Sequence, residues 1–364
     1  MGAIRKWFDE QLSDPQLMAL AALLVGSFLI VWMAGQMLAP AIAGGIIAYL
    51  LQGIVSFLTR RNVPRLLAVG AVFVLFITFI VLLIFGLIPL LSRQLTQLIQ
   101  QLPAMIGRGQ EALLALPQSY PELFSAAQVR DLIASIRGEI MAYGQQVVSL
   151  SLASVVGFVS VLIYLILVPF MVFFFLKDRE QIIQWIKRFL PRKRRLALEV
   201  WHDVDIQIAN YVRGKFFEIM LVWAVTYATF AIFGLQFAML LSVAIGLSVL
   251  IPYIGAVVVT IPVALIAYFQ WGLGPNFMYL LIAHLVIQGL DGNVVVPLLF
   301  SEVVNLHPVA IVVAILFFGG LWGFWGVFFA IPLATVVHAV LKAWSRNAER
   351  RARSGHPTHT RTAD

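Results

Sequence analysis

The sequence predicts an all-α polytopic membrane protein with about eight hydrophobic segments, including two re-entrant or broken helical hairpins near 238–270 and 308–342. Three observations predict it. From Leu17 to about Lys342 one apolar segment follows another, many reaching the roughly 20 residues that cross a bilayer. Charged residues make up 12% of the chain and hydrophobic ones 61%, about half the charged fraction of an ordinary soluble domain. Gly/Pro-rich breaks then interrupt two of the later apolar segments, as in the discontinuous helices of transporters.

The net charge of +8 does not point to nucleic acid, because the basic residues sit in short loops between apolar segments and form no stripe on a soluble domain. They are topology signals. The chain has no cysteine, which excludes disulfides, thiolate metal sites and a cysteine nucleophile. Its six histidines are scattered, with no His-Glu-x-x-His spacing, so neither a metal site nor a cofactor is expected.

Residues 1–91 hold three spans, at about 16–38, 40–58 and 66–91. Ser13 or Asp14 can cap the first, Pro15 suits its first turn, and Pro40 opens the second. Arg5 and Lys6 place the amino terminus in the cytoplasm, and two crossings later the basic turn Arg60–Arg65 is on that side again. Residues 92–149 are an amphipathic helical region on the outer face, with Leu95, Leu98, Ile99 and Leu102 on one helical face and breaks at Pro117 and Pro121. The fourth span, 150–176, returns to the cytoplasm.

Residues 177–215 form a basic amphipathic cytoplasmic region with twice as many basic as acidic residues. Ile182, Ile183, Ile186 and Phe189 make an apolar stripe, and the patch Arg192, Lys193, Arg194 and Arg195 suits anionic lipid headgroups. Val200, Val204, Ile208 and Tyr211 continue a helical face into the next span. Residues 216–343 form the transport core, and 344–364 a disordered cytoplasmic tail.

Within the core, a fifth span at about 216–233 precedes two arms separated by Ile251-Pro252-Tyr253-Ile254-Gly255. Arms of about 14 residues rise about 21 Å, short of the roughly 30 Å hydrocarbon layer, so a re-entrant hairpin is economical. Gly319, Gly320, Gly323 and Gly326 make the second break. Close-packing contacts between ordinary spans are the alternative for both. Between them, the span at about 277–300 carries Asp291, about 15 Å from its polar end at Ser301.

A carboxylate at that depth costs on the order of 2.5–3.5 kcal/mol, so it faces a polar cavity, a cation or a partner. Gln288 and Asn293 add amides beside it, while Gly289, Gly292 and Pro297 loosen the helix. This set suits a small polar solute, a monovalent cation or a proton. The alternative is a structural hub that caps freed N–H groups. His284, seven residues earlier on roughly the same face, is a proton-relay candidate or a packing group. Glu218, Glu302 and His307 lie near segment ends and are expected at the interface.

The chain resembles the autoinducer-2 exporter family, and within it the PerM-type permease branch. The resemblance rests on Phe174-Phe175-Leu176-Lys177-Asp178, Asn210-Tyr211-Val212-Arg213-Gly214-Lys215, Ile251–Gly255, Gln288–Asn293, Leu306-His307-Pro308 and Phe318–Gly326, in that order over about residues 10–345. It implies a multi-pass permease of the bacterial inner (plasma) membrane, cytoplasmic termini and a homo-oligomer, with signal export or sodium(lithium)/proton exchange among its members. Substrate does not transfer with the fold.

The expected function is a secondary-type transporter moving a small polar solute or cation, coupled to an ion gradient, with membrane lipids as its surroundings. An oligomeric channel-like pore and a non-transporting scaffold that docks partners through 177–215 are the alternatives. No phosphate-loop motif, zincin motif or nucleophile elbow is present, so no enzyme is expected.

Overall fold

The computed structural model describes residues 15–119, 134–135, 138, 154–189, 195–251, 254–300, 307–323 and 326–338. They are helical, with no strand among the described residues. Among the described residues, five helices are long and apolar enough to cross a membrane, or six if one bent pair is a single span, and three shorter apolar helices accompany them. This agrees with about eight hydrophobic segments. Pro252, Arg192, Lys193, Arg194, the carboxyl-terminal tail and most of 120–153 lie outside the described residues.

Helix α1, Pro15–Arg60, is 46 residues long with Pro40 inside it. The two spans expected at 16–38 and 40–58 are therefore one helix, about 69 Å long at the usual rise. The cytoplasmic amino terminus is expected from Arg5 and Lys6, which lie outside the described residues; the two crossings expected between them and Arg60 are replaced by this one helix. Proline removes one backbone donor without forcing a turn, and membrane helices tolerate it.

Helix α2, Arg65–Leu82, passes through a π turn at Leu83–Leu87 directly into α3, Ile88–Ser119. The span expected to end near 91 thus continues, and Pro117, read as a break, lies within the helix. A second π turn, Asp291–Val295, joins α9, Pro275–Leu290, to α10, Val296–Phe300. The two π turns share a cause. In each, the residue after the turn bonds five residues back, Ile88 N–H to the Leu83 carbonyl and Val296 N–H to the Asp291 carbonyl, and a proline follows at once, Pro89 or Pro297. A proline ring clashes with the carbonyl four residues earlier, and a wider turn relieves the clash.

Helix α4, Ser154–Lys177, is followed after an 81° bend by the amphipathic α5, Arg179–Phe189. Arg65 pairs with Glu180, so the basic turn after α1 and the basic region after α4 lie at the same end of the molecule. Ala48, Val55, Ala68, Val69, Val72, Phe76, Val172 and Leu176 fill an apolar core between α1, α2 and α4.

Helix α6, Arg195–Phe233, is 39 residues long and carries the end of the basic region into the core without interruption. The Tyr49 hydroxyl of α1 lies 2.7 Å from Asp205 Oδ1 and holds this extension. Two hairpins follow: α7, Ala238–Ser248, with α8, Ile254–Trp271, and α11, Pro308–Trp322, with α12, Gly326–His338. In the first, α7 has 11 residues but α8 has 18, long enough to cross. Its arms are unequal where similar ones were expected. In the second, both arms are short.

Each hairpin closes on a glycine. A Cβ on Gly255 would collide with the Ser248 carbonyl, and one on Gly326 with the Phe318 carbonyl. Backbone meets backbone there, and glycine permits it. Gly323 ends α11 at φ 58°, and Gly319 packs against Val327 across the hairpin. Gly320 has open space beside it. His307 caps α11, its Nδ1 accepting from Val309 N–H at 3.2 Å.

Candidate functional site: a buried polar seam

The residues of α6 at 211, 215, 218, 222, 226 and 230 recur every three or four positions and so occupy one face. All six are buried: Tyr211, Lys215, Glu218, Val222, Thr226 and Phe230. This face meets the combined helix α9–π–α10, running antiparallel. Phe230 lies against His284 with ring centroids 6.1 Å apart, and Tyr211 against Phe300 at 5.6 Å. At that second end a Cβ on Gly214 would press on the Phe300 ring at 2.8 Å, so glycine brings the helices together.

Between these two aromatic contacts the interface is polar. Lys215 Nζ donates to Glu218 Oε2 at 2.8 Å, with side chains 5% and 2% exposed, and stands 5.5 Å from the Phe300 ring centre. Asp291 opens the π turn and is buried, within electrostatic reach of both Lys215 and Glu218. Lys215 is thus paired with Glu218, and Asp291 stands near that pair without an ion pair of its own to Lys215. Among the described residues, no group hydrogen-bonds Asp291 Oδ1, and the same holds for Gln288 Nε2, Thr226 Oγ1 and His284 Nδ1. A buried carboxylate oxygen left in that state costs about 1–3 kcal/mol or more, which a stable hub would avoid.

Both hairpins reach this seam. From α8, Thr260 Oγ1 lies 2.7 Å from the Ala256 carbonyl and 3.0 Å from His284 Nε2. The carbonyl can only accept and takes the single hydroxyl proton, so His284 Nε2 donates to Thr260 and, in the neutral ring, Nδ1 carries a lone pair. At the other end the Tyr211 hydroxyl donates to the Phe328 carbonyl of α12 at 3.5 Å. The first hairpin touches the His284 end, the second the Lys215 end.

Among the residues singled out in the sequence, Asp291, Gln288 and His284 share the inner face of one helix. Asn293 does not join them. It is exposed, and its Nδ2 donates to the Gly289 carbonyl of its own helix at 2.8 Å. Arg195 opens α6, far along that helix from the seam. Glu218 is buried in the seam, not interfacial as its position near a segment end suggests. Sequence reasoning missed Lys215 and Thr226 as well. The signal was present: the face Val204, Ile208 and Tyr211, extended by helical steps, passes through 215, 218, 222 and 226. Among the described residues no group of three His, Asp or Glu side chains could hold a metal ion.

Residues 18–346 match the family described as AI-2E family transporter. The chain belongs to the AI-2E transporter family. It is 44% identical over 341 residues to PerM of Escherichia coli (strain K12), whose name carries the word permease, covering 94% of this chain and 97% of PerM. YueF of Bacillus subtilis (strain 168), named as a transport protein, is 26% identical over 85% of this chain and 84% of its own length. A transport protein of Synechocystis, sll0063, is 25% identical over 83% of this chain and 76% of its own. Membership and the long apolar helices make this AI-2E family member a multi-pass membrane protein of a permease family.

Proposed function

We propose that the protein is a secondary-type permease of the bacterial inner membrane in which Asp291, with Glu218 and Lys215, binds a monovalent cation or proton that drives or constitutes transport. The observation that carries this reading is Asp291 itself: a buried carboxylate with an unpartnered oxygen, on a π turn, facing a Lys–Glu pair. Charge counting supports it. With both acids ionised, one ammonium leaves the seam one negative charge in excess, which a proton or monovalent cation neutralises and a divalent ion would reverse.

The two hairpins, touching opposite ends of the seam, are placed to act as its gates. Breaking the Thr260–His284 contact would open one end, and breaking Tyr211–Phe328 the other. The basic region 177–215 faces the cytoplasm by the positive-inside rule, and so does the Arg60–Arg65 turn beside it. The test is proton movement in everted vesicles on adding sodium, lithium or potassium. A cation-dependent signal in wild type that Asp291→Asn lacks supports the reading. Equal signals in both remove Asp291 from the path.

A further inference from the structure

Above Asp291 the seam holds three more buried polar atoms with no protein partner, and they are spaced as a series. His284, Gln288 and Asp291 follow one another at helical intervals on one face of α9, so their positions rise about 6 Å and then about 4.5 Å along the axis. Thr226 stands level with Gln288 on the opposing helix, each lying four residues from the Phe230–His284 contact. His284 and Thr226 are fully buried and Asp291 is 8% exposed, so bulk solvent does not reach them in this conformation.

Their chemistry alternates. His284 Nδ1 accepts, Thr226 Oγ1 both donates and accepts, Gln288 Nε2 donates and Asp291 Oδ1 accepts. Gln288 and Asp291, one turn apart, do not satisfy one another. Each orphaned atom carries the unrepaid desolvation of a buried polar group. A small molecule with two donors and two acceptors removes that cost at every position.

We propose that this segment is a water-binding site: a file of about three waters, at the ordinary spacing of about 2.8 Å, linking Asp291 Oδ1 to His284 Nδ1 past Gln288 and Thr226. The file ends at the first hairpin, where His284 Nε2 donates to Thr260 of α8. It rests on the proposed role of Asp291 only for what the waters deliver. The waters themselves follow from the seam.

Because the chain is cysteine-free, single cysteines report on the seam directly. Thr226→Cys and Gln288→Cys, each in the full-length protein in native membranes, would be exposed to silver ion, a probe small enough to take the place of a water. The protein would then be unfolded and its remaining thiols alkylated with maleimide-polyethylene glycol, read as a gel shift. Ile245→Cys, as fully buried as Thr226 but in an apolar core, is the control, and position 226 carries the comparison because Gln288 is only half-buried. A hydrated thiol ionises and reacts, whereas one in apolar surroundings is inert, so silver protection at 226 and 288 should be at least about tenfold faster than at 245. Rates at 226 and 288 no faster than at 245 overturn the file, even if Asp291→Asn abolishes cation-dependent proton movement. Fast protection at 226 or 288 with normal transport in Asp291→Asn keeps the file and removes the transport reading instead.

Discussion

Two helix interfaces of this protein are built on opposite rules. The α1–α2–α4 core is filled by Ala, Val, Leu and Phe. The α6–α9–α10 interface instead holds Lys215, Glu218, Thr226, His284 and Asp291. Among the described residues, no charged side chain is buried in α1, α2 or α4, and Gln52 Oε1 of α1 is the one buried polar atom there without a partner. Lipid is as apolar as leucine, so packing needs no buried charge, and the first interface shows this chain packing without one. The charges at the second are expensive and half-satisfied. That contrast is the physical argument for function there.

The comparison breaks most sharply at the ion pair. Lys215→Met leaves Glu218 and Asp291 facing each other without their ammonium and should destabilise the protein by about 4 kcal/mol, measured by denaturant unfolding in detergent micelles. The double variant Lys215→Met/Glu218→Leu should recover most of that stability, since a well-packed apolar pair replaces a buried ionic one at little cost, while transport stays lost. A double variant as unstable as the single one would mean that the pair is structural.

In the apolar core, Leu176→Ala should cost about 3 kcal/mol in the same unfolding measurement through the cavity it leaves, with transport per folded molecule unchanged. Loss of transport beyond the loss of folded protein would extend the working region into the first bundle. Tyr49→Phe removes only the bond that holds the α6 extension to α1, and about 1–2 kcal/mol should be lost. The smallest effect is expected at Asn293→Ala, about 0.5 kcal/mol or less with near-normal transport in the vesicle assay, because that amide serves its own helix and not the seam.

The contrast also explains what the sequence revealed. Asp291 stands out because a carboxylate inside a long apolar run has no loop to belong to. Lys215 and Glu218 are buried at least as deeply as Asp291, but they lie at the end of the basic region 177–215, where a charge is indistinguishable from a loop charge unless the α6 face is traced through it. Prolines misled in a consistent direction. Pro40 and Pro117 read as boundaries and sit inside helices, whereas the prolines that reshape the chain, Pro89 and Pro297, do so by widening the preceding turn. The second hairpin was legible because Gly319, Gly320, Gly323 and Gly326 cluster within eight positions; the inequality of α7 and α8 was not, since nothing apolar distinguishes their outer ends.

The central claim is that Asp291 carries charge through the membrane. The most direct measurement follows pH-dye relaxation in everted vesicles on addition of sodium, lithium or potassium, with wild type and Asp291→Asn at matched levels of folded protein. The account predicts a cation-dependent signal in wild type and none in Asp291→Asn. An undiminished signal in Asp291→Asn would contradict it and reduce the buried seam to a structural contact.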